Sequence, residues 1–142
     1  MRKAGRSLRK KEYYINGIRM IATEDEEQIA LFSWAKIAEA RWPVLKWMHH
    51  IPNGGKRSKS EAARFKAMGV KAGVSDVFLP CARGGYHGLY IEMKALDGRP
   101  SGDQKEFLAA MASEGYFCAV CYGAEEAEGL IERYLTGKEV RA

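Results

Sequence analysis

No apolar stretch in the 142 residues approaches the roughly 20 that a membrane helix needs, so no span and no membrane partner are expected. The basic opening residues are not followed by an apolar h-region, which argues against a secretory signal and for a cytoplasmic protein acting where DNA is. Cysteine is scarce. Cys118 and Cys121 form a C-x-x-C, but no second cysteine or histidine pair completes a zinc site. They lie in the apolar run 116–122, where residues three apart on a strand face opposite sides, so both read as core thiols. Histidine is equally sparse. His49 and His50 are strand neighbours that cannot both face one site, and His87 follows a turn, so packing or surface roles are expected for all three. There is no internal repeat, low-complexity block or interdomain linker. The length suits one domain with a real core, and therefore one active site per chain.

Acidic residues are missing from the first stretch altogether. Arg2, Lys3, Arg6, Arg9, Lys10 and Lys11 precede Glu12, the first carboxylate. A second group, Lys56, Arg57, Lys59, Arg64, Lys66 and Lys71, has only Glu61 as counter-charge. The formal charge of +5 is thus clustered, as a polyphosphate partner would require. The second cluster begins in Pro52-Asn53-Gly54-Gly55, whose glycines let backbone come close to a ligand. Asn53, Gly54, Gly55, Lys56, Arg57, Lys59, Arg64 and Lys71 are accordingly the candidate nucleic-acid contacts, while the basic first eleven residues are compatible with order or mobility on DNA.

The local signals alternate between helix and strand. Thr23-x-x-Glu26 is a capping box that opens a helix to about Arg41, ahead of Pro43. Val44 to Ile51 reads as a strand, and Ser58-x-x-Glu61 opens a short basic helix closed by Gly69. Val77–Leu79 and Leu89–Lys94 read as strands joined through the turn-forming Ala82-Arg83-Gly84-Gly85. Ser101-x-x-Gln104 launches another helix, a strand follows around Cys118, and Ala124 to Leu135 is the last helix. This order predicts a three-layer α/β/α sandwich, with a mixed central sheet of about four strands and helices on both faces.

Charge inside the central strands is the most telling feature. Glu92 and Lys94 are two apart on a strand and emerge side by side, and Asp76 begins the strand before. An anionic phosphodiester repels hydroxide, so its hydrolysis calls for a cation that neutralises the phosphate and helps deprotonate water. Mg²⁺ or Mn²⁺ meets both needs and prefers oxygen ligands. Asp76 and Glu92 are the candidate ligands, with Lys94 beside them to hold the attacking water and stabilise charge on phosphorus.

An acid on the first helix, an aspartate at a strand start and an E-x-K on the next strand resemble the PD-(D/E)xK nuclease superfamily. More narrowly, Glu24-to-Trp34, Ile51-Pro52-Asn53-Gly54-Gly55, Gly69-to-Leu79, Gly88-to-Lys94 and the Ser101-to-Gln104 helix start look like a stand-alone VRR-NUC (virus-type replication-repair nuclease) domain over roughly residues 23–135. Such nucleases usually carry proline before the catalytic aspartate, where this chain has Ser75; the exchange alters backbone shaping and removes no reactive group. The resemblance implies a restriction-endonuclease-like fold, with a basic arm over 1–22 and a nuclease domain over 23–142. It adds the backbone carbonyl of Met93 as a third metal oxygen and Gln104 as part of the active-site neighbourhood, although Gln104 also has a capping reason to be there. For the helix acid, Glu26 sits at the capping position and Glu27 heads the core-facing stripe, so Glu27 is preferred and Glu24 held in reserve. The implied function is a divalent-metal-dependent DNA endonuclease acting on branched DNA such as Holliday junctions, as a homodimer because a junction needs two nicks. Trp42, Trp47, Phe117 and Tyr134 could serve that interface or the core. The competing function is a DNA-binding module that cuts nothing, using Trp42, Trp47 and Tyr86 to stack on bases. It leaves the carboxylates at a phosphate-binding surface unexplained.

Overall fold

The computed structural model describes residues 14–53 and 57–138. Gly54, Gly55, Lys56 and the basic residues before Glu12 lie outside the described residues. Four strands form one mixed sheet: β3 (His49–His50), β4 (Val77–Leu79), β5 (Leu89–Lys94) and β6 (Phe117–Tyr122), in that spatial order. The first three pair antiparallel, and β5 runs parallel to β6. The β5-to-β6 crossover is helix α3 (Gly102–Ser113), whose Phe107 meets Tyr90 of β5 edge-on at 5.2 Å. The opposite face is covered by α1 (Glu24–Ala38) and α4 (Ala124–Thr136). There Leu31, Ala127, Leu130, Ile131 and Tyr134 bury themselves with Leu89, Ile91, Met93 and Phe117. A three-layer α/β/α sandwich around a four-stranded mixed sheet is therefore the architecture.

All three helix starts expected from S/T-x-x-E/Q are found. Thr23 accepts the Glu26 N–H and Ser58 the Glu61 N–H, and at Ser101 the box is reciprocal, because Gln104 Oε1 also takes the Ser101 N–H at 2.7 Å. The stretch 44–51 differs from expectation. Pro43–Trp47 is a 3₁₀ turn and only His49–His50 is strand. Proline at its start pre-sets φ for a tight helical turn, and a three-residue repeat buries Leu45 and Met48 together, which a flat strand would put on opposite faces. The same proline disfavours helical geometry at Trp42 (φ −125°), which is why α1 ends at Ala38 and dissolves into turns short of Arg41. Nine residues, 80–88, link β4 to β5, and the two-residue turn sits within them: Gly84 (φ 57°) and Gly85 (φ 87°) take the left-handed conformations while Arg83 and Tyr86 exchange backbone bonds.

Part of the 1–22 segment is structured. Tyr14–Ile15 (β1) and Ile18–Arg19 (β2) form a hairpin over Asn16-Gly17, and Arg19 clamps it to Asp97 with bonds of 2.7 and 2.9 Å. Helix α2 (Lys59–Ala67) stands apart from the core: none of its residues is buried.

Candidate metal centre

The register of β4 and β5 assembles the site. Val77 faces Ile91, so in the same antiparallel alignment Asp76 falls opposite Glu92, on the face shared by Lys94. β4 ends there and leaves that edge of β5 without a strand partner. Asp76 supplies one instead, its Oδ2 accepting the Met93 N–H at 2.8 Å. The carbonyls of Gly88 and Lys94 point the other way, accepting from Phe117 and Gly123. Main-chain groups alternate sides along a strand, so the Met93 carbonyl is directed towards the Asp76 side. Asp76 is itself anchored through its own carbonyl, which accepts from the Ile51 N–H at 2.8 Å and lies 2.7 Å from His50 Nδ1. His49 turns to Phe78 instead.

The third carboxylate comes from the first turn of α1. Oxygens of Glu24, Asp76 and Glu92 lie within 4.8 Å of one another. Lys94 Nζ stands 3.2 Å from Glu92 Oε1 and 3.4 Å from Glu24 Oε2. Glu92 is 1% exposed, and its buried oxygens have the Lys94 ion pair but no backbone donor. Burial, then the Asp76 charge, pushes its pKa up to about 8, against a smaller opposing pull from Lys94. Burial also raises Glu24, with Lys94 opposing and Asp76 adding to the shift. For Lys94 burial acts to lower the pKa, but Glu24 and Glu92 outweigh it and the ammonium is held above its ordinary value. Three carboxylates and one ammonium carry a net −2 when ionised, the complement of a dication. An all-oxygen donor set of clustered carboxylates, partly buried, fits a hard ion such as Mg²⁺ or Mn²⁺.

Glu27 is placed elsewhere. Its Oε2 accepts the Ala124 N–H at 2.5 Å and lies against Gly123, the residue that opens α4 with no side-chain cap of its own. The helix acid in the cluster is therefore Glu24, held in reserve from sequence, and the preferred Glu27 instead joins α1 to α4 at the same end of the sheet. Both lie on one side of α1, and the signal that separates them is position: the outermost turn overhangs the end of β5, while the next turn meets α4.

With these distances in hand, comparison with known proteins is decisive. The VRR-NUC domain profile matches residues 22–125. The chain belongs to the VRR-NUC family. A solved structure described as a VRR_NUC domain protein superposes with a TM-score of 0.68 at 36% identity, covering 82% of this chain and 90% of the other. No protein of curated function matches. The VRR-NUC fold is thus shared, and the chain is a nuclease-type domain.

Other expected positions are distributed around this centre. Gln104 is engaged through its amide oxygen in the Ser101 capping box. Asn53 donates to the Lys71 carbonyl, Arg57 lies over the Phe65 ring at 4.2 Å, and Lys59 and Arg64 are exposed on α2. Cys121 is buried and Cys118 half-buried, with the Cys118 pKa pushed by burial to about 11. Of the four residues named for an interface, Phe117 and Tyr134 are each 2% exposed and belong to the core. Trp47 is 61% exposed, and Trp42 is half-buried beneath Arg41. His50, expected from sequence to have a packing or surface role, contacts the Asp76 carbonyl, which no local pattern announces.

Proposed function

We propose that this chain is a divalent-metal-dependent DNA endonuclease whose catalytic groups are Glu24, Asp76, Glu92 and Lys94. The observation carrying the reading is the convergence of three carboxylates, with the Glu92 oxygens buried and the Lys94 ammonium shared between Glu92 and Glu24. A structural ion pair would match one carboxylate to one ammonium; here three clustered carboxylates have the single Lys94 ammonium among them. Glu24, Asp76, Glu92 and the Met93 carbonyl would hold Mg²⁺ or Mn²⁺. When bound, such an ion supplies Lewis-acid stabilisation of the phosphate charge. Lys94 is pre-oriented by Glu24 and Glu92, so its ammonium donates to the attacking water and favours loss of that water's proton. It also sits where negative charge grows on phosphorus. Asp76 fixes the main chain at Met93 and so the relation of the two strands.

The substrate class in this reading is branched DNA such as a four-way junction, cut by a homodimer because one chain offers one site and a junction needs two nicks. The support is the likeness of small VRR-NUC chains to Holliday-junction resolvases; of the four aromatics named for an interface, Phe117 and Tyr134 lie in the core and Trp47 is exposed. The test is digestion of supercoiled plasmid, linear duplex and four-way junction with Mg²⁺ or Mn²⁺ against EDTA, using Asp76→Ala as control. Metal-dependent nicking lost in Asp76→Ala, fastest on the junction, is expected. Binding without any nicking would establish the non-catalytic module instead, and a sedimentation monomer at micromolar concentration would remove the dimer.

A further inference from the structure

Helix α2 has a form that the core does not explain. It buries no residue, and only Phe65 among its nine is half-buried. A helix this short is marginal in water and normally depends on packing. Here both ends are closed locally instead. Ser58 Oγ accepts the Glu61 N–H at 3.2 Å. At the other end Gly69 (φ 101°) lets its own N–H reach the Lys66 carbonyl at 3.1 Å and the Val70 N–H reach the Phe65 carbonyl at 2.9 Å, the Schellman pair. Arg57 adds a cap over the Phe65 ring.

The outward face is specific in composition. Positions 59, 62, 63 and 66 share one side of a 3.6-residue helix, so two lysines flank two exposed alanines, while Glu61 and Phe65 lie round the other side. Among the described residues no carboxylate lies within ion-pairing distance of Lys59, Arg64 or Lys66. Lys59 and Lys66 are separated along the axis by about 10 Å, comparable to the roughly 12 Å width of the B-DNA major groove. Alanines between them let the helix approach closely and offer base edges no polar group. The segment bearing α2 leaves and returns at the catalytic corner: Ile51 bonds to the Asp76 carbonyl, and Asn53 ties the outgoing limb to Lys71 on the returning one.

We propose that the Lys59–Ala62–Ala63–Lys66 face docks a duplex arm of the substrate by its phosphates, independently of sequence. The identity of the polyanion rests on the nuclease reading; the docking face rests on α2.

The test is equilibrium binding of two unrelated duplexes to the full chain in EDTA, across a salt series. Lys59→Ala/Lys66→Ala is compared with the charge-matched Lys36→Ala/Lys138→Ala. Alanine favours helix, so circular dichroism and Tm should hold. Loss of two phosphate contacts lowers the slope of log Kobs against log[salt] by about 1.8, alike on both duplexes, while the control pair leaves it unchanged. An unchanged slope, a loss confined to one sequence, or a wild type that fails to bind duplex would overturn the proposal. An unchanged slope with Mg²⁺-dependent nicking intact sinks the docking face alone. A lowered slope in a protein that never nicks keeps the docking face and sinks the nuclease reading.

Discussion

Glu24 and Glu27 lie one turn apart on α1 and should separate cleanly on mutation, because one faces the cluster and the other caps a helix. Glu27→Ala removes a charged acceptor from the first N–H of α4, where Gly123 has no side chain to replace it. A hydrogen bond to a charged group contributes about 1.5–3 kcal/mol, and the helix dipole strengthens an anion there. A loss near 2 kcal/mol lowers Tm by roughly 6 °C for a domain of this size. Glu24→Gln keeps the shape of the side chain and gives up an ion pair at 3.4 Å whose glutamate is 40% exposed, so its stability cost is within about 0.5 kcal/mol. Its cost to function is large. Losing a charge that holds the cation and orients Lys94 is expected to slow cleavage by about 100-fold or more. The assay pairs thermal unfolding with nicking of plasmid at saturating Mn²⁺, well below the Tm of either variant. A Glu24→Gln enzyme that cuts at wild-type rate, or a Glu27→Ala enzyme of unchanged Tm and abolished activity, would refute the division of roles.

Two further consequences are measurable. Without metal, Glu92 holds its proton in the folded state up to about pH 8, whereas the unfolded chain releases it near the ordinary 4.5. Its contribution therefore makes stability fall as pH rises through that window and level off above it; Glu92→Gln should flatten the urea midpoint there, and a wild type and variant with parallel profiles would contradict the assignment. Gly73 (φ 86°) packs on the first turn of α3, where an added Cβ would fall 2.3 Å from the Asp103 carbonyl oxygen. Gly73→Ala is expected to cost about 3 kcal/mol or more through backbone strain and overlap, and a denaturant midpoint equal to wild type would show that the α3 contact is not rigid.

Features governed by a few consecutive residues were legible in the sequence. Thr23, Ser58 and Ser101 mark three helix starts because a capping hydroxyl acts within its own turn. Asp76 and the Glu92–Lys94 pair could be found because strand alternation fixes which side chains share a face. Features decided by packing between distant elements were not. Whether Glu24 or Glu27 reaches the cluster depends on where α4 begins, nearly a hundred residues later, and helical periodicity treats the two alike. The strand expected over 44–51 failed because its apolar residues Leu45 and Met48 are three apart, a spacing that fits the tight turn opened by Pro43. The hairpin at Tyr14–Arg19 was signalled by Asn16-Gly17 but masked by the surrounding basic charge, and the Asp97 clamp that secures it is remote in sequence.

Glu92 shows why the site has this form. A carboxylate that is 1% exposed and beside a second carboxylate opposes folding, and its raised pKa expresses that opposition. Neutral glutamine or an apolar residue would serve the sheet better if stability alone set the sequence. Lys94 offsets only part of the charge, because it is shared with Glu24. The remaining negative charge is local, and in the proposed function a hard cation held by all three carboxylates would meet it. Binding should therefore stabilise the fold as well as prepare the site, since the cation finds its ligands gathered only in the folded chain. A rise in Tm with Mn²⁺, absent in Asp76→Ala, would link the two; a Tm indifferent to Mn²⁺ at millimolar concentration would leave the buried charge without its partner.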